Sequence, residues 1–480
     1  MKYAAVQGIS SGCELLSHKL LLADQKPSLS LRALFAMGRD VDALAEFTIL
    51  KDGLTLVNNS SAEEDAEATQ KLIHAGITHL NQATFRISDD LFIRVDSIIL
   101  HSKELIEVKA GSKTKEVYLF DLAFQEYLLR KISMRNSTFS LILRNSSYIT
   151  GMPWSEALKK IDVTERVNAL LNDEKFTGMI DSILSKSGQP PSPIFSKSCK
   201  KCTFSRDCWS HIENPSFGIP RVSDKQMAKI IELGTFDISK VPDEILTPTQ
   251  LVHKHNISDN CISISKAQLS TDLENIRFPV AHLDFEAFNL PFHPAHGVKT
   301  CEMVPFQSSI HIEHICGEVS HHEYLCSHSF DDRLGLAQHL VATLADASTI
   351  LTWNVSFERR MLQHLANTFP ELSEELEAII LKLVDLEPIV RKNVSHFGFK
   401  GSYSLKSVAP TLCPSFDYDD LDVDNGNEAN GAYSLLVRGL IPNDQISQVR
   451  TNLLKYCQRD TQATLAIHRY LRASIKEVKV

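Results

Sequence analysis

The chain lacks any apolar run approaching the ~18–20 residues that a membrane-spanning helix requires, although 43% of its 480 residues are hydrophobic. Its opening, MKYAAVQGISSGCELLSHK, is polar at the centre, where a secretory signal needs an apolar core. Both absences point to a cytoplasmic protein. Basic residues are not in excess: 50 Lys and Arg stand against 59 Asp and Glu, a formal net charge of −9. That excludes a protein that coats nucleic acid by overall attraction, since counterion release needs cations aligned along a face. It leaves open chemistry on nucleic acid at a confined site, because divalent cations reverse the local sign of an acidic cluster. The chain also lacks repeats with a period of roughly 20–50 residues and lacks low-complexity tracts, which excludes solenoids and fibrous arrays.

What remains is a globular chain too long for one ordinary core, so two or three domains are expected. The Ser/Pro/Gly stretch SKSGQPPSPIFSKS at 185–198 and PSFGIPRVSD at 215–224 punctuate it. They suggest a first domain over 1–212, a helical connector over 213–276 and a last domain over 277–480. In the first domain, helical patterns near 28–48 and 62–75 precede the alternating runs LFIRVDSIIL and ELIEVKA and the helix VYLFDLAFQEYLLRK. The last domain opens on a strand, PVAHLDFEAF, and a hairpin, FQSSIHIEHICGEVSHHEYLC. The helix RLGLAQHLVATLA, the strand STILTWN and further helices follow. The fold class is therefore α/β and multidomain, with mixed sheets.

Asp284 and Glu286 alternate within a strand and so share a face, which suits a divalent metal. Asn354 and Glu358 fall where the apolar strand before them turns into a helix, the place where α/β sheets present chemistry. Tyr456 and Asp460 lie four apart on one face of the helix NLLKYCQRDTQATLAIHRYL. Asp385, in VDLEP, is either a further acidic neighbour or the N-cap of the helix that follows. Any one of these pairs by itself is an ordinary surface feature; their order and placement give them meaning.

Taken together, LDFEAF, NVSFE and YCQRD resemble the three motifs of DEDD exonucleases of the RNase H-like fold, in the tyrosine-bearing subclass. Glu358 stands where that family commonly carries Asp. With VPFQSSIHI, TWNVSFE, VDLEPIV, KGSYSLKSVAP and LLKYCQRDTQAT, the stretch 279–473 is also similar to a bacterial family known as a domain of unknown function, which joins such a module to a RecB-like nuclease. The resemblance implies 3′→5′ hydrolysis of DNA or RNA with two Mg²⁺ or Mn²⁺ ions held by Asp284, Glu286, Glu358 and Asp460, and Tyr456 orienting the attacking water.

In the first domain Asp96 precedes Glu107 and Lys109, which share a strand face, and the next helix supplies Gln125 and Tyr127. A carboxylate pair with a lysine can bind Mg²⁺ and steady a hydroxide. Cys199-x2-Cys202-x5-Cys208 is a metal-ligand spacing for which Cys13 offers a fourth thiolate, and spacing alone leaves both Zn²⁺ and [4Fe–4S] open. Cys261, Cys301, Cys316, Cys326, Cys413 and Cys457 are scattered singly and read as reduced core residues. Asp96, Glu107-Val108-Lys109, Gln125 and these cysteines resemble the PD-(D/E)xK nucleases of the RecB type, of the restriction-endonuclease-like fold, in their iron–sulfur form. The resemblance implies a metal site at Asp96 and Glu107, catalysis with Lys109 and Gln125, and a [4Fe–4S] cluster on Cys13, Cys199, Cys202 and Cys208. After the helical Gly38, where that family often has His or Glu, the chain offers Asp42. Lys197, Lys200, Lys201 and Arg206 form a basic cluster, either a solvated loop or a set of phosphate contacts. The rival expectation is a catalytically impaired protein that binds nucleic-acid ends for a partner nuclease.

Overall fold

The computed structural model describes residues 27–57, 61–185, 191–259 and 262–476, with a few residues between 11 and 19. The polar opening up to residue 10, the Gly/Pro punctuation at 186–190 and Cys261 lie outside the described residues. The chain forms two compact units. The first holds Leu34–Ile194 and Leu290–Glu302, with the described residues before Lys26; the second holds Pro27–Ala33, Phe195–Asn289 and Met303–Val480. No described helix is long and apolar enough to cross a membrane.

In the first unit, β1 (Leu54–Thr55), β2 (His79–Ser88), β3 (Leu91–Ile99), β4 (Glu104–Lys109), β5 (Thr138–Arg144) and β6 (Leu158–Asp162) form one mixed sheet in sequence order. The helices are α1 (Leu29–Thr48, entered from the second unit), α2 (Ala62–His74), α3 (Glu116–Lys131), α4 (Thr164–Leu171) and α5 (Glu174–Leu184). α2 starts where the Ser61 hydroxyl accepts the Glu64 N–H, with acids in its first turn and Lys71 and His74 in its last, so cap and macrodipole agree. α3 is the crossover between the parallel strands β4 and β5. It buries Leu119, Leu122, Phe124 and Leu129 in the main core with Phe139 and Leu141. Arg144 donates to the Thr300 carbonyl at 2.9 Å and Phe292 packs edge-on against Trp154 at 5.5 Å, which ties 290–302 into this unit.

The second unit begins with α6 (Ser205–Trp209), α7 (Asp224–Glu232), α8 (Pro248–Asp259), β7 (Ile262–Ile264) and α9 (Lys266–Leu273). The sequence placed the first boundary near 212, but the border lies after Ile194. The physical reason is a small core in which Phe195, Cys199 and Trp209 join Phe217, Ile219, Met227 and Ile230; burying these side chains commits the cysteine run to the connector helices. Next come β8 (Val280–Phe288), β9 (Val304–Glu313), β10 (Val319–Leu325), α10 (Arg333–Leu344), β11 (Thr349–Thr352), α11 (Val355–Thr368), α12 (Ser373–Leu381), β12 (Leu383–Asp385), α13 (Leu386–Asn393), β13 (Val394–His396), α14 (Leu405–Leu412), α15 (Gly426–Val437) and α16 (Ile446–Lys476).

The five-stranded sheet runs β10-β9-β8-β11-β12, antiparallel through β10, β9 and β8 and parallel through β8, β11 and β12. β8 is central and buried on both faces, which explains its apolar, β-branched and aromatic composition around two carboxylates. α16 packs across β8 and β9: Gln307 Nε2 donates to the Leu453 carbonyl at 2.9 Å, and Thr461 Oγ1 lies 2.8 Å from His311 Nδ1. β7 pairs with β13 in a separate two-stranded ribbon.

Candidate metal centre

The second unit gathers the C-terminal acidic residues into one cleft of about 540 Å³, lined among others by Asp284, Glu286, Asn354, Glu358, Tyr456 and Asp460. Ligand atoms of Asp284, Glu286 and Asp460 lie within 4.8 Å of one another. Strand alternation on β8 supplies the first two, and the packing of α16 on the sheet brings the third from far along the chain. Glu358, in the first turn of α11 and only 2% exposed, stands outside this tight group while sharing its field; its Oε2 is buried without a hydrogen-bond partner.

Burial first, and then the charges of Asp460 and the other acids, push Asp284 and Glu286 well above the carboxylate range. Burial likewise raises Asp460, against the opposing pull of Tyr418, Lys406 and Tyr456. Glu358 is pushed to about 8, chiefly by burial. Carboxylates that cannot all ionise together need protons or cations, and an orphaned buried oxygen asks for a partner. The donor set is all oxygen, as hard divalent cations require.

Asp385 resolves as a cap. Its carboxylate accepts N–H groups of Asn354, Val355 and Glu387, each at 3.1 Å, holding the starts of α11 and α13 together. Asn354 turns the chain in the left-handed region (φ 81).

Tyr456 is buried and bonded to Asp460, and burial with the nearby acids raises its hydroxyl far above the usual value. Three neighbours escaped the sequence reading. Tyr418 donates to Asp460 Oδ1 at 2.8 Å, and the Cys457 thiol lies 3.4 Å from Asp284 Oδ2. Lys406 Nζ sits 4.7 Å above the Tyr456 ring and 5.3 Å above the Tyr418 ring, buried without a hydrogen-bond acceptor. Tyr418 comes from an irregular stretch with no periodicity to betray it. Lys406 lies on α14, away from all three acidic motifs.

A second buried group, His282, Glu313 and His468, also brings ligand atoms within 4.8 Å. Arg469 and Arg472 hold the Glu313 carboxylate at 2.7 and 3.2 Å, and burial together with these arginines lowers His468 to about 3. Two guanidinium groups already occupy the place of a cation, so this reads as a neutral imidazole pair beside an ion-paired acid.

The first unit brings Asp42 of α1, Asp96 of β3, Glu107 and Lys109 of β4, and Gln125 of α3 into one field. Lys109 Nζ pairs with Glu107 and, at 2.6 Å, with Asp121 Oδ2. Gln125 Nε2 donates to Glu107 Oε2 at 2.6 Å and to Asp121 Oδ1 at 3.0 Å. Asp96 Oδ2 accepts the Val108 N–H at 2.7 Å. Burial opposes the charge of Lys109, yet Glu107, Asp121 and Asp96 outweigh it and hold its pKa well above the ordinary value. Burial, Asp96 and Glu107 raise Asp42 to about 7. Asp121 was not foreseen. Tyr127 is no part of the group, because its hydroxyl donates to Asp181 at 2.6 Å. No three ligand atoms here come within 4.8 Å among the described residues, since Lys109 takes the space a cation would take.

Cys13 belongs to the first unit and Cys199, Cys202 and Cys208 to the second. None of the four is in a disulfide. Sulfurs around one Zn²⁺ lie ~3.8 Å apart, the edge of a tetrahedron with ~2.3 Å bonds, and among the described residues no three thiols come that close. A cluster of several irons holds its thiolates more widely than a single ion does. In the basic run, Lys197 pairs with Asp224 at 3.2 Å and Lys200 reaches the Gly218 carbonyl at 3.4 Å.

One family profile, described as a domain of unknown function (DUF2779), matches residues 281–404. The match covers Asp284, Glu286, Glu358 and Asp385 and stops short of Lys406, Tyr456 and Asp460. Comparison with curated proteins and with solved structures returned no match.

Proposed function

We propose that the chain is a metal-dependent nuclease whose second unit removes nucleotides from the 3′ ends of DNA or RNA strands. The observation that carries this reading is the convergence of Asp284, Glu286 and Asp460, from a central strand and a distant helix, within 4.8 Å, with Glu358 and Tyr456 on the same cleft. The strand order β10-β9-β8-β11-β12 agrees with an RNase H-like assignment for this unit, and the first unit's mixed sheet with crossover helix α3 agrees with a RecB-like one.

Asp284, Glu286 and Asp460 would hold the divalent ions, with Glu358 reaching them directly or through water. Bound there, the ions would supply a nucleophile at neutral pH and stabilise the charge that gathers on the attacking and leaving oxygens. Tyr456 keeps its proton, so it donates or orients rather than acting as a base. Tyr418 fixes the Asp460 carboxylate by hydrogen bonding, and Asp385 fixes the α11 start that presents Glu358.

The first unit is a second nuclease centre of the RecB type in this reading. The locked state of Lys109 favours the alternative for that unit alone, namely binding of nucleic-acid ends without cleavage. We read Cys199, Cys202 and Cys208 as ligands of a [4Fe–4S] cluster with Zn²⁺ as the alternative, which iron, sulfide and zinc analysis of anaerobically purified protein decides. The functional reading is tested by incubating the protein with 3′- and 5′-labelled single and double strands of both sugars, in Mn²⁺, Mg²⁺ or chelator. A ladder shortening from the 3′ end only with metal supports it; intact strands under every condition overturn it.

A further inference from the structure

The second unit carries, besides the acidic cleft, a groove of about 1100 Å³ lined by residues of the connector and of the β7/β13 ribbon, including Arg221, His253, Arg391, Lys392, Asn393 and Tyr403. Cleft and groove share a wall. Trp353, which lines the cleft, donates its indole N–H to the carbonyl of Tyr403, which lines the groove, at 3.2 Å.

The lining has the chemistry of a polyanion site. Arg221 is exposed, on a left-handed residue (φ 50), and among the described residues no carboxylate pairs with it. The Arg391 guanidinium, held by its ion pair with Glu387, lies 4.4 Å from the centre of the Tyr403 ring, a flat platform of the kind on which bases stack. Lys392 adds a further cation, anchored to Asp272 at 3.0 Å. Lys200, from the basic run beside the cysteines, is near enough that its charge adds to burial in lowering His253 to about 4. Asn393 is 2% exposed; its Nδ2 is bonded to Asp272 and to the Ile389 carbonyl, whereas its Oδ1 is buried with no partner. Such an acceptor suits an exocyclic amine or a sugar hydroxyl.

We propose that this groove is the track of a single-stranded nucleic acid whose 3′ end occupies the acidic cleft. Phosphates would lie against Arg221, Lys392 and Lys200, and bases would stack on the Arg391–Tyr403 platform. The proposal rests on the nuclease reading and extends it: the connector and cysteine region become part of the substrate path, and a strand several nucleotides long becomes the preferred substrate.

The test uses the full chain in chelator and measures fluorescence anisotropy of labelled dinucleotides and 12-mers of both sugars. Wild-type protein is expected to bind the 12-mer far better than the dinucleotide. Arg221→Ala and Arg391→Ala together are expected to lower that preference about tenfold and to flatten the salt dependence, by ~0.7 in log–log slope per lost phosphate contact. Arg221→Ala alone, an exposed change, gives the same direction if Arg391→Ala perturbs the ribbon. Equal binding of both lengths, or a preference untouched by either variant, overturns the proposal; so does competition by polyglutamate as strong as by the 12-mer. Wild-type turnover of the 12-mer with Mn²⁺ is scored separately. Groove-dependent binding without turnover leaves the track standing and removes the nuclease reading.

Discussion

Each unit gathers four carboxylates near one lysine, and the two lysines are used in opposite ways. In the first, Lys109 bonds directly to Glu107 and Asp121, so Asp42, Asp96, Glu107 and Asp121 share a cation already in contact. In the second, Lys406 lies above two tyrosine rings with no acceptor, and Asp284, Glu286, Glu358 and Asp460 keep their mutual repulsion. The same residue types thus yield one nearly closed ion-pair network and one cluster that demands external charge. Direct contact decides between them, because Coulomb interaction in a buried site falls steeply as separation and solvent access grow.

The largest effect expected from this contrast is in Asp460→Ala. It removes a metal ligand, so 3′-end digestion should fall by roughly 10³-fold or more, the scale on which groups acting as a unit fail, and Mn²⁺ binding by calorimetry should weaken in parallel. The metal-free protein should melt no lower than wild type, since a repelling buried carboxylate is gone. Digestion that survives Asp460→Ala yet disappears in Lys109→Ala would move the chemistry to the first unit.

Tyr456→Phe should leave Mn²⁺ affinity nearly unchanged and slow digestion ~10²- to 10⁴-fold. A matching loss of metal affinity would reassign the phenol to holding Asp460.

Lys109→Ala should act mainly on stability. It strands Glu107 and Asp121 in the interior, at a cost of about 3–5 kcal/mol in the first unit's unfolding by urea. Unchanged stability there would mean that the pairing contributes nothing, and the contrast between the units would collapse.

The smallest effect is one of pH. Glu358 has a folded pKa raised to about 8 from 4.5, so the folded state holds a proton that the unfolded state has released. Its contribution is full below the unfolded value and is lost as pH rises towards 8. The buried histidines, whose pKa values are lowered, act only below their ordinary value of 6.5. In chelator, melting temperature should therefore decline between pH 6.8 and 8.3, and Glu358→Gln, which mimics the protonated acid, should lessen that decline, the rest coming from the other raised acids, Asp42, Asp284 and Glu286. An equal slope in both proteins would place the titration elsewhere.

Much of this was legible in the residues. Alternation in LDFEAF put Asp284 and Glu286 on one strand face, and helical spacing put Tyr456 and Asp460 on another, because both depend only on local backbone periods. The strands over 91–99, 104–109 and 280–288, and the helices over 62–74, 116–131 and 355–368, coincide with the periodic runs for the same reason. Asp385 stayed ambiguous between ligand and cap until the fold placed three N–H groups against it. The border after Ile194 was hidden because Pro and Gly mark turns, whereas a boundary is set by which apolar side chains share a core. Asp121 looked like any helical acid, since nothing in sequence measures its distance from Lys109.

By itself, then, the order of residues determined the elements, their apolar faces and the acids that each face carries, all consequences of short-range geometry. Only the tertiary structure decided which acids meet. The approach of α16 to β8, the contact that quenches Lys109 and the suspension of Lys406 over Tyr456 and Tyr418 depend on packing between different elements of the chain, and charge effects follow distance in space.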